Sequence, residues 1–456
     1  MTSKRTRQQI TTGISRRDLM RLSALGLAGY SQSGWLKALA EGTANDPKRK
    51  RACILLWMTG GPSQMDTFDL KPAHKNGGPI KPIETAVPGV KISEHLPKLA
   101  KMMQHVVPVR SMNTKEGDHT RATYLLRTGY LPQGPIHYPT LGSLLSNELG
   151  SEKNELPNFV SIAPYRFLSP AAYQPGFLGP RHAPLVVGGP GVNVVRPGSD
   201  NYTQALQVKN LGLPGGVDLQ QADDRLALLN DLEEDFGTSR PGVIESSHRN
   251  SYEAAVRMMR SESVKAFTLD EEPDKLRDSY GRNQFGQGCL LARRLVERGV
   301  PFVEISLNGV QGSNSFAWDT HRNNFESIEK LSEVLDPAWA TLLEDLKTRG
   351  MLDSTLVVWM GEFGRTPTIN RNKGRDHFPG AWTTVLSGGG IKGGQSYGET
   401  SADGMTVKDN PVKVPDLLAT VSRALGIDPT KQNISNVGRP IRITDTEAKP
   451  IEEILV

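Results

Sequence analysis

Carboxylates and imidazoles recur along this chain where apolar runs stop. Asp66 follows the run Ala52-Cys-Ile-Leu-Leu-Trp-Met58 after a Thr59-Gly60-Gly61-Pro62 turn. Asp319 and His321 close the segment Trp318-Asp-Thr-His321, which lies beyond the run Pro301–Leu307. Glu362 comes directly after Thr355–Met360 and Gly361, and Asp376 with His377 stands just ahead of Trp382–Leu386. Carboxylate oxygen and imidazole nitrogen hold hard or borderline divalent cations, and one donor from each of several loops can build a cage. Asp66, Asp319, His321, Glu362, Asp376 and His377 are therefore the candidate metal ligands, for zinc, calcium, magnesium or manganese. Singly, each has a structural alternative: Asp66 or Asp319 as a helix cap, Glu362 as the partner of Arg365, His377 as a satisfied buried imidazole. Their recurrence at successive strand ends is what argues for a site.

A further polar group, Gly117-Asp118-His119-Thr120, precedes Arg121-Ala-Thr-Tyr-Leu-Leu-Arg-Thr-Gly129, which reads as a helix closed by glycine. Unpaired amides and the helix dipole favour an anion at such a start. A phosphate or sulfate fits there, with Thr120 or His119 as nucleophile or metal ligand and Arg365 or Arg121 holding oxygens through forked hydrogen bonds. The alternative is that Asp118 or Thr120 only caps the helix.

The elements that must position these groups are short apolar runs at Ala52–Met58, Val106–Val109, Phe159–Ile162, Pro301–Leu307, Thr355–Met360 and Trp382–Leu386. Several follow segments of helical periodicity. Asn283–Arg298 stops at Gly299 ahead of one run, and Asn324–Thr348 stops at Gly350 ahead of another. Such alternation predicts an α/β fold with a largely parallel sheet covered by helices, whose ligands bind beyond the C-terminal strand ends. The Pro- and Gly-rich stretch 156–216, with helix-like stretches near 217–236 and 250–267, breaks the alternation. Residues 150–275 therefore read as an insertion over one end of the sheet.

The formal net charge of +5 is an N-terminal property. Residues 1–40 hold seven Lys or Arg and one acid, which leaves 47 basic against 48 acidic residues in the remainder. A nearly neutral body lacks the general attraction a nucleic-acid binder uses. The N-terminus itself, with Ser15-Arg16-Arg17-Asp18-Leu19-Met20, a weakly apolar Leu22–Gly29 and Ala38-Leu39-Ala40, reads as a twin-arginine signal over 1–40, then a linker over 41–51 and one domain over 52–456. The expected partner during export is the twin-arginine translocase, and the expected location is the periplasm or cell surface. No later apolar run approaches the roughly 18 residues a membrane span needs, so no transmembrane body is expected. Cys53 and Cys289 lie in apolar or helical context and carry no expected chemistry.

Four stretches, Trp318-Asp-Thr-His321, Gly361-Glu-Phe-Gly-Arg-Thr-Pro367, Gly374-Arg-Asp-His-Phe-Pro379 and Gly388-Gly-Gly-Ile-Lys-Gly-Gly394, resemble in order and spacing the twin-arginine-exported family called domain of unknown function 1501. The resemblance covers most of the mature chain. That family in turn is similar to alkaline phosphatases, cofactor-independent phosphoglycerate mutases and sulfatases. The likeness implies a three-layer, alkaline-phosphatase-like core with a metal site at the strand ends. It puts Glu362 at an aspartate ligand position, Phe363 in place of a histidine ligand, His377 at a late histidine ligand, Asp319 with His321 at an Asp/His pair, and His119-Thr120 at the nucleophile. Two departures stand out: Asp66 follows its strand only after a loop, and Phe363 cannot bind metal. No sulfatase cysteine motif is present. The resemblance thus implies an exported, metal-dependent hydrolase of small-molecule or polysaccharide phosphate or sulfate esters. The competing expectation is a binding or scaffold protein that keeps the fold without the nucleophile. An exported oxidoreductase ranks last, because no Cys cluster or haem motif supports it.

Overall fold

Residues 51–456 are described by this computed structural model, apart from 133, 189–201, 209–210, 213–214, 240–242 and 314. The signal sequence and nearly all of the linker read over 1–51 therefore lie outside the described residues.

The first strand, β1 (Ala52–Met58), is buried at every position. Ile54, Leu56 and Met58 join one hydrophobic cluster, and Cys53, Leu55 and Trp57 join another. A strand whose successive side chains enter two different cores must be central and covered on both faces, which is why its sequence is continuously apolar rather than alternating. The partners in the sheet are β2 (Val106–Met112), β3 (Phe159–Ile162), β4 (Leu185–Val187), β5 (Phe302–Leu307), β6 (Thr355–Met360) and β7 (Trp382–Gly388). Their spatial order is β2-β7-β6-β1-β5-β3-β4. β1 pairs in parallel with both β5 and β6, β3 in parallel with β5 and β4, and β7 runs antiparallel to β6 and β2. The largely parallel three-layer α/β architecture expected from the sequence is present.

One boundary differs from the expectation. β3 and β4 fall inside the 150–275 segment, yet both are strands of the central sheet. Only the stretch beyond them, with helices Leu219–Ser239 and Val243–Arg260, lies outside the strand framework. The run Leu185-Val-Val187 is too short to stand out from its Pro-rich flanks, and its pairing with β3 is what makes it a strand.

Helices among the described residues cover both faces of the sheet. α1 (His119–Thr128) and α2 (Leu141–Leu149) come between β2 and β3, α3 (Gln284–Glu297) precedes β5, α4 (Asn324–Thr348) joins β5 to β6, and α5 (Val414–Ala424) comes after β7. α3 begins where the sequence placed it, with the Asn283 side chain accepting from Gly286 N at 2.8 Å. α3 and α4 supply Cys289, Leu290, Leu331 and Trp339 to one face of the sheet, and α2 and α5 supply Leu144, Leu145, Leu417 and Val421 to the other. Both cysteines are free and buried, and burial pushes each thiol well above its usual range, so neither is a ready nucleophile. Among the described residues no helix is long and apolar enough to cross a membrane.

Candidate metal centre

The loops leaving β1, β5 and β6 are bound together by backbone contacts. Trp318 N donates to Thr59 O at 3.0 Å. Gly60 has φ +104°, and a Cβ built there would lie 2.4 Å from Asp319 N, so only glycine lets the β5 loop approach this closely. The same residue donates its amide to Glu362 Oε1 at 2.9 Å. Gly374 meets a similar constraint, since its Cβ would stand 1.9 Å from His321 O. The Gly374 loop is thereby laid along 320–324, with Arg375 N donating to Thr320 O at 3.0 Å. From there His377-Phe378 pairs antiparallel with Gly364-Arg365 in a two-residue ribbon.

These contacts bring three histidines around one carboxylate oxygen. Asp319 Oδ1 lies 3.4 Å from His119 Nε2, 3.1 Å from His321 Nε2 and 3.3 Å from His377 Nε2. The opposite nitrogen of each ring is already held. His119 Nδ1 donates to Glu362 Oε1 at 2.7 Å, His321 Nδ1 to Asp376 Oδ1 at 2.7 Å, and His377 Nδ1 to Gly117 O at 2.8 Å. A carboxylate or carbonyl can only accept, so each Nδ1 carries a proton, and with a cation bound each Nε2 would present its lone pair to it. This is the arrangement by which outer partners fix the tautomer and direction of metal-binding imidazoles.

A cation fits this donor set. The ligand atoms of His119, Asp319 and His377 all lie within 4.8 Å of one another. His321 Nε2 and His377 Nε2 face each other at 3.0 Å, an approach that two lone pairs favour only with a proton or a cation between them. Phe363, fully buried, packs under His119 and His377 with ring centroids 4.9 and 4.6 Å away, and so sets their orientation without being a ligand.

The candidate residues separate by what their polar atoms already do. Glu362 is fully buried; its Oε1 serves Gly60 and His119, while Oε2 has no hydrogen-bond partner. Asp376 sits behind His321, which is 41% exposed, and that hydrogen bond holds the Asp376 carboxyl below its usual range. Asp66 belongs elsewhere: it accepts from Arg375 Nε at 2.7 Å and Nη2 at 3.1 Å, from Asn324 Nδ2 at 2.8 Å and from Ser63 Oγ at 2.5 Å. Both its oxygens are engaged in a buried ion pair, apart from the group around Asp319. Arg365 is also committed. It donates to Asp319 Oδ1 at 2.5 Å, to Gly61 O at 3.0 Å and to Gly60 O, so it orients Asp319 rather than standing free for an ester. Arg121 points away from this role too, being exposed and paired through Nε and Nη2 with Glu116. Asp118 caps α1 by accepting from Arg121 N at 3.1 Å, and Thr120 is exposed in the first turn beside His119. Arg375 stands within one of the stretches that mark the family, yet its residue type alone assigns it no role; a buried Asp66 that must find a cation is the signal that points to it.

The charges follow from this geometry. Burial opposes ionisation of Asp319, but hydrogen bonds from His119 and His377 and the adjacent Arg365 hold its carboxyl far below the usual range. Burial likewise opposes protonation of His119, yet its bonds to Asp319 and Glu362 outweigh that and push it up to about 9. A folded-state value above the ordinary ~6.5 means that His119 contributes stability to the metal-free protein fully below that value, and loses it as pH rises through about 9. In chelator, the melting temperature should therefore fall by a few degrees between these limits, while metal affinity rises as the competing proton leaves. His119→Gln should flatten the decline, as thermal melts across the window will show.

The chain matches, over residues 50–455, a family described as protein of unknown function (DUF1501). Among curated proteins none is similar enough in sequence to count as a relative. Solved structures similar to this chain include the PsFucS1 sulfatase from Pseudoalteromonas sp., at 15% identity and TM-score 0.40, covering 87% of this chain and 72% of that one. A protein in the alkaline phosphatase superfamily from Vibrio parahaemolyticus has 11% identity, TM-score 0.39 and coverage of 87% and 76%. The lipoteichoic acid synthase LtaP from Listeria monocytogenes has 9% identity, TM-score 0.38 and coverage of 87% and 74%. Identities and scores of this size do not say what this chain does.

Proposed function

This chain belongs to the DUF1501 family of proteins of unknown function, and on that premise we propose that it is a metal-dependent hydrolase of phosphate or sulfate esters. The observation that carries the reading is the convergence of three Nδ1-anchored imidazoles on Asp319 Oδ1. His119, Asp319 and His377 would hold a divalent cation, with His321 beside them. A set this rich in imidazole favours zinc or another transition ion over calcium or magnesium, which prefer oxygen donors. Bound there, the cation would polarise the ester and stabilise charge on its oxygens.

The remaining work belongs to the chain. Glu362 and Gly117 O keep His119 and His377 in the binding tautomer, and Arg365 keeps Asp319 ionised and turned inward. Thr120, exposed one residue along α1 from His119, is the hydroxyl available to attack; a water is the alternative nucleophile. In the net reaction the phosphorus–oxygen or sulfur–oxygen bond to the alcohol breaks, water supplies the new oxygen, and the alcohol leaves protonated. The Arg16-Arg17 signal supports an exported setting, in the periplasm or at the cell surface.

A second reading is favoured by one specific observation: Arg365, Arg375 and Arg121 are all engaged by acids, so none of them stands free to clamp an anion. It makes the protein a metal-dependent binding or scaffold module. The test is elemental analysis of protein purified without chelator, with turnover of 4-nitrophenyl phosphate and 4-nitrophenyl sulfate measured alongside Glu362→Gln. Stoichiometric metal, turnover that depends on it, and a roughly 10- to 100-fold weaker metal affinity in the variant are expected, as for outer partners of metal-bound histidines. Metal without turnover of any ester favours the binding module. A folded protein that takes up no metal even when resupplied overturns both readings.

A further inference from the structure

The loop after β3 carries a feature that the metal centre leaves unused. Its residues Tyr165, Arg166 and Phe167 leave the sheet at the same end as Asp319, because Asn308 Nδ2 donates to Ala163 O at 2.6 Å while Thr59 Oγ1 donates to Asn308 Oδ1 at 2.7 Å. Those two bonds tie the ends of β3, β5 and β1 together. Ala163 takes φ +52°, a left-handed conformation rare for a residue with a side chain, and it turns the chain out of the strand.

Three rings form a shelf there. Tyr165 packs on Phe316 at 4.7 Å between centroids and on Phe167 at 5.5 Å. Phe316 is joined to the metal centre, since Asp319 N donates to its carbonyl at 2.9 Å. At the other end of the shelf, Phe167 is 75% exposed, the highest among the large hydrophobic residues described except for the C-terminal Val456. An aromatic ring left open beside a polar centre is the usual composition of a small-molecule site. Between Tyr165 and Phe167 in the chain comes Arg166. Its Nε is buried and has no hydrogen-bond partner, and among the described residues it has no ion-pair partner. Arg365, Arg375 and Arg121 are each engaged by an acid, whereas Arg166 on the aromatic loop keeps a buried, unpartnered Nε.

We propose that the Tyr165-Arg166-Phe167 loop is the substrate-recognition subsite of this centre, Phe167 and Tyr165 taking the flat apolar face of a ring-bearing alcohol portion and Arg166 the anionic group of its ester. This rests on the hydrolase reading and adds the substrate class: esters borne on a ring, carbohydrate or aryl, rather than on a short chain. Stacking on an exposed aromatic face suits both rings, since each presents an apolar face.

Binding measured separately from turnover tests it. Phenylphosphonate and methylphosphonate, neither of which can be hydrolysed at the ester position, are titrated into zinc-loaded full-length protein by calorimetry. Phenylphosphonate should bind about tenfold more tightly, in keeping with base–aromatic stacking measured by alanine substitution. Phe167→Ala should abolish that preference with zinc content unchanged. Arg166→Gln should weaken both ligands about equally, by roughly tenfold, with Arg166→Lys restoring part of the loss. A pyranoside sulfate competing against phenylphosphonate then separates the two ring sources: displacement that needs Phe167 assigns the carbohydrate, and its failure with the phenyl preference intact assigns the aryl ring. A ring preference that persists in Phe167→Ala and Tyr165→Ala, or is missing in the wild type, overturns the subsite. Absence of zinc from the wild type is a separate result that sinks the hydrolase reading, because the ring preference is then read on metal-free protein.

Discussion

Asp319→Asn should leave a folded protein whose divalent metal affinity is at least about a hundredfold below wild type, with metal-dependent turnover lost in proportion. Removing outer partners of metal-bound histidines typically costs 10- to 100-fold, and Asp319 is more central than any of them. One of its oxygens faces three imidazole nitrogens at 3.1 to 3.4 Å and also accepts from Arg365 at 2.5 Å. Asparagine keeps the shape and an oxygen for Arg365 but removes the negative charge that gathers the site. The same change should lower the apparent pKa of His119, because one of the two carboxylates that raise it is gone. Metal titration and an NMR pH titration of the imidazole read these effects independently. Retained affinity in a folded Asp319→Asn protein would show that the carboxylate is a partner of Arg365 and nothing more.

Asp66→Ala should behave in the opposite way, with stability falling and the metal centre kept. Asp66 and Arg375 are both fully buried, and their double hydrogen bond is supplemented by Asn324 and Ser63 on one side and by Asn76 O on the other. Removing one member of a buried pair leaves an uncompensated charge, at a cost of about 3–5 kcal/mol. Urea unfolding should show that loss, and the variant that remains folded should still bind one equivalent of metal. Asp66→Ala protein of unchanged stability that no longer holds metal would restore the ligand role the sequence suggested. A double variant, Asp66→Leu with Arg375→Met, should recover much of the stability, since replacing a buried pair by apolar residues is often neutral or better.

The two aspartates look alike in the sequence. Each comes after an apolar run and a glycine-bearing turn, and each reads as a ligand for that reason. The difference between them is made by residues elsewhere along the chain: Arg375, 309 residues from Asp66, and His377, 58 residues from Asp319. Polar residue type reports that a side chain has donors or acceptors, but which partner consumes them depends on loops meeting in space. Arg365 illustrates the same point, because its sequence context suits anion binding as well as it suits clamping the β1 loop, and only the position of Gly60 O, Gly61 O and Asp319 decides.

What the sequence determined by itself was the architecture that brings the candidate groups to one end of a sheet. Continuous apolar runs at Ala52–Met58 and Thr355–Met360 can be stable only when buried on both faces, and helices stopping at Gly299 and Gly350 leave little choice but parallel crossover connections. Those are local properties, written in hydrophobic period and in backbone freedom. The tertiary structure decided which carboxylates face the imidazoles, which are neutralised by arginine, and that Tyr165 and Phe167 on one loop meet Phe316 from another beside Arg166, whose buried Nε has no partner. Electrostatic pairing and side-chain direction act through space over a few ångströms, and distance along the chain does not encode them.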